Sequence, residues 1–448
     1  MEHLSLADLV LTPLYLVVLL GAGFLYARRK SNSVPEYKYF VPALSMKLLG
    51  GIAVALVYTV YYPGGDTTSY FHDGIALQNL LLKDPGNFYS VYVNEANRAN
   101  IFFFDADTGI PVYSHDNKAW TVVRISFFIV AFAMRSFVVS SMLSALVSFI
   151  GVWQMYRVFA LRFPDLKREM AIAFLFIPSV FFWGSGLLKD SFTLGALGLF
   201  IWAFYTIVEE KRWNLGYIFI ILFSANLIVS IKPYILVGLI PALIVWFFQK
   251  VSDGIKAPVL RFVLVPVISA AGFSAGLLLM TLLGDTLAEY SLENIIEKAI
   301  VTNQDLKQDY YQGNSFDIGE FDGTLPSLLG KFPAATFAAI FRPLIFESNN
   351  FVMLVSGLEN FFILLFAIRF LISTRIIGWS RMVLSDELIA FSFVFALLFA
   401  FAVGLSTSNF GSLVRYKIPC IPFFIASLFI LRKKYQDSLL GDAPVETP

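Results

Sequence analysis

What most constrains this chain is a succession of apolar runs, each close to 20 residues and nearly free of charge, repeated from one end to the other. A helix of about 20 residues crosses the ~30 Å hydrocarbon layer of a bilayer. Backbone in lipid must satisfy its own N–H and C=O groups, which leaves only helices or closed barrels as spanning structures. Continuous apolar runs without strict alternation select the helix. Composition agrees, since 58% of the 448 residues are hydrophobic and 15% are charged, against about 45–50% and 25% in soluble domains. The expected fold is an all-α polytopic membrane protein, located in a plasma or bacterial inner membrane.

The runs predict spans at about 9–27, 45–62, 137–156, 169–187, 190–208, 214–231, 234–249, 262–283, 350–372, 387–406 and 418–431, about eleven in all. Leu9 to Tyr26 ends in Ala27-Arg28-Arg29-Lys30 with no small-residue cleavage site, which reads as a retained first span. With these spans every short Lys/Arg cluster falls on one side, which the positive-inside tendency makes cytoplasmic. Residues 119–158 are long enough for two spans, but a second span there would invert the later loops. Residues 120–135, with Arg124 and Arg135, are therefore read as an interfacial or re-entrant helix. The amino terminus is then outside and the carboxyl terminus inside. Residues 1–436 form a single bundle and 437–448 a short cytoplasmic tail. Two long loops, about 63–119 and 284–349, carry extracytoplasmic juxtamembrane helices. The net charge of +1 offers no footprint for nucleic acid, and the lone Cys420 excludes an intrachain disulfide.

The chemistry-bearing stretch is Tyr61-Tyr62-Pro63-Gly64-Gly65-Asp66-Thr67-Thr68-Ser69-Tyr70-Phe71-His72-Asp73-Gly74, where the second span surfaces into water. Asp66 has two readings there. It caps the juxtamembrane helix that follows, or it is a general base taking a proton from an acceptor hydroxyl. Gly64-Gly65 permits close approach of backbone and substrate, and Tyr70, His72 and Asp73 would line the same place.

A second stretch, Ser185-Gly186-Leu187-Leu188-Lys189-Asp190, turns between two spans. Asp190 suits a helix start, whereas a cation at Lys189 opposes the helix dipole. Lys189 therefore calls for an anion, either Asp190 or a bound phosphate. Lys232, Arg342, Arg415 and Lys417 fall at span ends on the same expected face. They are either snorkelling interface residues or a converging phosphate site, with Glu347 and Glu359 as partners and Tyr416 beside them.

His3, His72 and His115 are the only histidines, so no zinc pattern exists. There is no P-loop, dinucleotide fingerprint or nucleophile elbow. No cofactor is required, although a divalent cation bridging a phosphate stays open.

Gly65-Asp66-x-x-x-Tyr70, Ser185 to Asp190, and Arg415-Tyr416-Lys417-Ile418-Pro419-x-x-Pro422 together resemble the GT-C superfamily of membrane glycosyltransferases. The Gly-x-Asp-x-x-x-Tyr loop also resembles the O-antigen and exopolysaccharide polymerase group. The resemblance implies transfer of a sugar, with inversion, from a polyprenyl phosphate or pyrophosphate to a lipid or glycan acceptor on the outer face. Asp66 would be the catalytic carboxylate and Arg415 the late basic residue near the donor phosphate. Lys189, Lys232 and Arg342 would add to that phosphate grip. A transporter or flippase of a lipid-linked solute, or an envelope scaffold, are the competing classes. A transporter predicts internal repeats and midplane polar residues, and the sequence has no repeat.

Overall fold

The computed structural model describes residues 4–62, 64–252, 301, 315–319, 324–374 and 382–441. The expected span 262–283 and Tyr310, Tyr311, Glu320 and Asp322 of the second loop lie outside the described residues. Among the described residues the chain is helical, with no strand and one isolated bridge between Ser315 and Asn409.

Among the described residues six helices are long and apolar enough to cross a membrane: Leu6–Ser31, Pro35–Tyr61, Phe137–Arg162, Lys189–Val208, Phe351–Ser373 and Glu387–Ser406. A seventh arises if Phe410–Tyr416 and Ile421–Leu439, bent by 61°, are one broken span. The other expected spans differ for local reasons. The run 169–187 is cut before Pro178 into Lys167–Leu175 and Pro178–Trp183, because proline cannot supply the amide a continuous helix needs. Leu215–Ile231, Gly238–Lys250 and Phe332–Phe341 are apolar but shorter.

The chain divides into two compact units, Met1–Lys167 with Phe174–Lys232, and Arg168–Ala173 with Pro233–Pro448. In the first unit we name α1 (Leu6–Ser31), α2 (Phe40–Leu56), α3 (Asp66–Lys83), α4 (Pro85–Val93), α5 (Asn117–Phe132), α6 (Phe137–Arg162), α8 (Pro178–Trp183), α9 (Lys189–Val208) and α10 (Leu215–Ile231), while α7 (Lys167–Leu175) has its residues Arg168–Ala173 in the second unit.

Helix α6 is the hub, packed against α1, α2, α5 and α9. Its contact with α9 depends on missing side chains. A Cβ on Gly151 would lie 1.8 Å from the Gly195 carbonyl oxygen, and one on Gly198 would lie 2.2 Å from that of Gly151. Small residues let helix backbones meet in a medium where burial of apolar surface gives no drive to associate. Helix α1 is peripheral and turns Leu9, Val10, Val17, Val18 and Phe24 outward, as a lipid-facing helix must. Its start is fastened by Asp8, which accepts from the Ser136 hydroxyl at 2.5 Å and the Val138 amide at 3.1 Å.

Residues 64–116 form α3, α4, a short 3-10 helix and turns. Helix α3 packs along α5, and their interface buries Tyr70, Phe71, Leu77, Trp120 and Val123. Helix α5 has 16 residues, about 24 Å of rise, which is short of a full crossing. It ends in a turn with positive φ at Met134 and Arg135 before α6 begins.

The second unit contains α11 (Ile235–Ser252), α12 (Leu325–Gly330), α13 (Phe332–Phe341), α14 (Phe351–Ser373), α15 (Glu387–Ser406), α16 (Phe410–Tyr416) and α17 (Ile421–Gly441). Helix α15 is its centre, packed on α11, α13 and α17. Phe391, Phe395 and Phe399 stack in a column along α15, at centroid distances of 6.0 and 5.6 Å.

Candidate functional site

Asp66 enters through the way α2 stops. The last turn of that span widens into a π-helical turn, Val57–Tyr61, and Gly64 and Gly65 precede α3. Their φ angles of 103° and 144° are open only to glycine at little cost. A Cβ on Gly65 would also come within 2.8 Å of the Tyr58 ring. The Thr68 hydroxyl accepts from the Gly65 amide at 3.0 Å and donates to the Gly65 carbonyl at 2.8 Å. Gly65 is therefore the N-cap of α3, and Asp66 is the first helical residue.

The half-buried Asp66 carboxylate accepts a hydrogen bond from the Tyr113 hydroxyl at 2.9 Å. Tyr113 is itself positioned twice. Its ring stacks on Tyr70 with centroids 4.8 Å apart, and its amide donates to Asp73 at 3.0 Å while the Val112 amide donates to the other Asp73 oxygen at 2.9 Å. Burial pushes the Tyr113 phenol above its ordinary range, with the Asp66 charge and hydrogen bond adding to this, so the hydroxyl stays a donor. Burial also raises Asp73 to about 6, against the lowering effect of the two amides. Asp73 thus holds the 112–113 turn. His72 is exposed, and its ring makes an edge-to-face contact with Phe71.

The carboxylates of Asp116 and Asp190 and the ammonium groups of Lys189 and Lys232 form two ion pairs in the first unit. Lys189 opens α9, and its Nζ lies 3.4 Å from Asp116, a loose pair with side chains 24% and 39% exposed. The charges of Asp66 and Lys232 also act on Lys189. Asp116 caps α5 through the amides of Lys118 and Ala119 at 2.8 and 3.2 Å. Burial opposes ionisation of Asp116, but the Lys189 charge and those two amides outweigh it and hold its carboxyl below the usual range. Asp190, the next residue along α9, pairs with Lys232 at 2.6 Å, and both side chains are almost fully buried. The anion expected for Lys189 is therefore Asp116, while Asp190 is taken by Lys232.

Among the sequence candidates, Asp66, Tyr70, Asp73, Lys189, Asp190 and Lys232 gather in the first unit. Arg342, Glu347, Arg415, Tyr416 and Lys417 belong to the second. There Arg342 pairs with Glu347 and lies over the rings of Phe316 and Phe410 at 5.0 and 5.4 Å. The fully buried Lys417 donates to the Ile340 carbonyl at 3.1 Å and to Asn360 at 2.5 Å. It thereby closes the carbonyl end of α13, where a cation is favoured. Asn360 in turn donates to the Pro343 carbonyl at 2.9 Å. Arg415 is half-buried near the end of α16, and Tyr416 lies against Tyr234 at 6.4 Å.

Sequence reasoning missed Tyr113 and the role of Asp116. Asp116-Asn117-Lys118 is readable as a helix cap, but nothing local marks Tyr113 as the partner of Asp66. Among the described residues no three His, Cys, Asp or Glu side chains gather closely enough to hold a metal ion. The chain matches no protein-family model, no curated protein and no solved structure.

Proposed function

We propose that the protein is a membrane glycosyltransferase that moves a sugar from a polyprenyl-phosphate-type donor to an acceptor hydroxyl at the extracytoplasmic face. The observation that carries the proposal is the Asp66 carboxylate, half-buried at a glycine-shaped span end, oriented by Tyr113, with the Lys189 charge acting beside it. A carboxylate oriented by a neutral phenol has the chemistry of a general base toward an acceptor hydroxyl. In the transfer, the acceptor oxygen bonds to the anomeric carbon as the carbon–oxygen bond to the donor phosphate breaks. Asp66 takes the acceptor proton, and the phosphate leaves with the bonding pair.

The negative charge that develops on the leaving phosphate is the quantity to be stabilised. Lys189 suits this because its contact with Asp116 is long, so a phosphate oxygen can exchange for the carboxylate. The tighter Asp190–Lys232 pair ties the start of α9 to the end of α10 and so fixes where Lys189 stands. Lys232 then acts on the donor through position more than through contact.

The same chemistry would serve a polymerase of lipid-linked repeat units, in which the acceptor is itself a growing glycan. Asp66→Asn separates these enzyme readings from transport. It should abolish formation of the glycosidic bond at unchanged protein level, while wild-type protein in proteoliposomes forms product. Full product from Asp66→Asn rejects Asp66 as the base. Flux of an intact lipid-linked sugar without any new bond would favour a flippase.

A further inference from the structure

The first unit has a cavity of about 600 Å³, lined by Asn94, Glu95, Asn97, Arg98, Asn100 and His115 together with Ala96. We propose that this groove is the subsite for the glycan part of the acceptor, which rests on the reading of Asp66 as the base of a sugar transfer.

Its size suits a small oligosaccharide, within the roughly 300–1,000 Å³ common to ligand pockets. Its walls carry donors and acceptors in one place: carboxamides, a guanidinium, a carboxylate and an imidazole. Hydroxyl groups both donate and accept, so a mixed wall of this kind matches a polyol. One carboxylate offsets one guanidinium, which leaves no surplus cation for a free phosphate. There is no large apolar side chain in the lining to anchor a peptide.

The backbone of the groove is held in advance. The Ala96 amide donates to Asn117 at 2.6 Å, Arg124 donates to the Asn94 carbonyl, Asn100 donates to the Glu95 carbonyl at 3.3 Å, and the Ala99 amide donates to Asn97 at 3.0 Å. These bonds leave the side chains of Glu95, Arg98 and His115 exposed. A groove shaped before binding loses less entropy on capture. Its location fits the role, since His115 adjoins Asp116, the partner of Lys189, and lies two residues from Tyr113, the partner of Asp66.

The test is a panel of immobilised neutral and acidic oligosaccharides probed with detergent-solubilised full-length protein. Inorganic pyrophosphate serves as competitor. Wild type and Asp66→Asn should bind the same glycans equally, and pyrophosphate should leave that binding in place. Glu95→Gln and Arg98→Ala, which touch exposed side chains only, should each weaken binding about tenfold or more. Binding of no glycan, equal binding by the two groove variants, or displacement by pyrophosphate would each overturn the subsite. Normal glycan binding with undiminished transfer by Asp66→Asn would instead sink the catalytic reading and leave the groove standing.

Discussion

Replacing Lys232 by Met removes the ammonium that stands 2.6 Å from Asp190 while keeping most of the side-chain length. The side chains of Lys232 and Asp190 are 7% and 1% exposed, so water can do little to replace the lost partner. The gross attraction of such a pair is about 6 kcal/mol at an effective dielectric of about 20. Desolvation of both groups offsets most of that, and a buried pair is worth little against an apolar pair of similar size. Deleting one partner is different, because it keeps the desolvation cost of the carboxylate and loses the attraction, typically about 3–5 kcal/mol. Lys232→Met should therefore destabilise the protein by that amount, and Asp190→Leu should do so comparably. The double variant Asp190→Leu/Lys232→Met should recover at least about 2 kcal/mol relative to the sum of the singles. The assay is reversible denaturation in mixed micelles, read as a double-mutant cycle. Additive single effects would refute the buried-pair argument. Activity of the double variant supplies a further reading: a stable, active protein makes the pair a positioning device, and a stable, inactive one assigns Lys232 a direct part at the donor phosphate.

Three other perturbations follow from the same geometry. Tyr113→Phe deletes one hydrogen bond to a carboxylate, worth about 1.5–3 kcal/mol, and should lower kcat about tenfold or more with the fold retained. Unchanged kcat would remove Tyr113 from the site. Asp73, raised to about 6 from an ordinary value near 4, binds its proton more tightly when folded. Its contribution to stability is fully present below about pH 4, falls as pH rises through about 6, and changes by roughly 3 kcal/mol in all. The stability difference between wild type and Asp73→Asn should therefore move in favour of wild type between pH 7 and pH 4, and a flat difference would contradict the burial of Asp73. Gly151→Val cannot be accommodated against the Gly195 carbonyl without separating α6 from α9. It should cost about 3 kcal/mol or more, seen as a lower denaturation midpoint, and a neutral result would deny the close helix contact.

Much of the local structure was legible in single residues. Asp84 before Pro85, Asp116 before α5, Asn214 before α10, Asn350 before α14, Asp386 before α15 and Asn409 before α16 each accept from amides of the turn they open. Such caps involve neighbours two or three residues apart, so the sequence displays them directly. Of the two readings of Asp66, the cap is not the one its side chain takes. This residue opens α3 as a cap would, yet the capping is done by Gly65 and Thr68, and the Asp66 side chain is turned to a tyrosine 47 residues away. The reading of 120–135 as something short of a span came from charge parity, and a separate 16-residue helix stands there.

By itself the sequence determined the helical class and the apolar runs long enough to cross a membrane. Apolar run length and the need to satisfy backbone groups in lipid act residue by residue along the chain. Only the tertiary structure decided which charge meets which. Asp190 and Lys232 are 42 residues apart and Asp116 and Lys189 are 73 apart, and the packing of α5, α9 and α10 brings them within reach. Side-chain charge and size are written in the sequence, but the partner that neutralises a buried charge is set by which helix ends come together, and that depends on interhelical contacts such as Gly151 on Gly195.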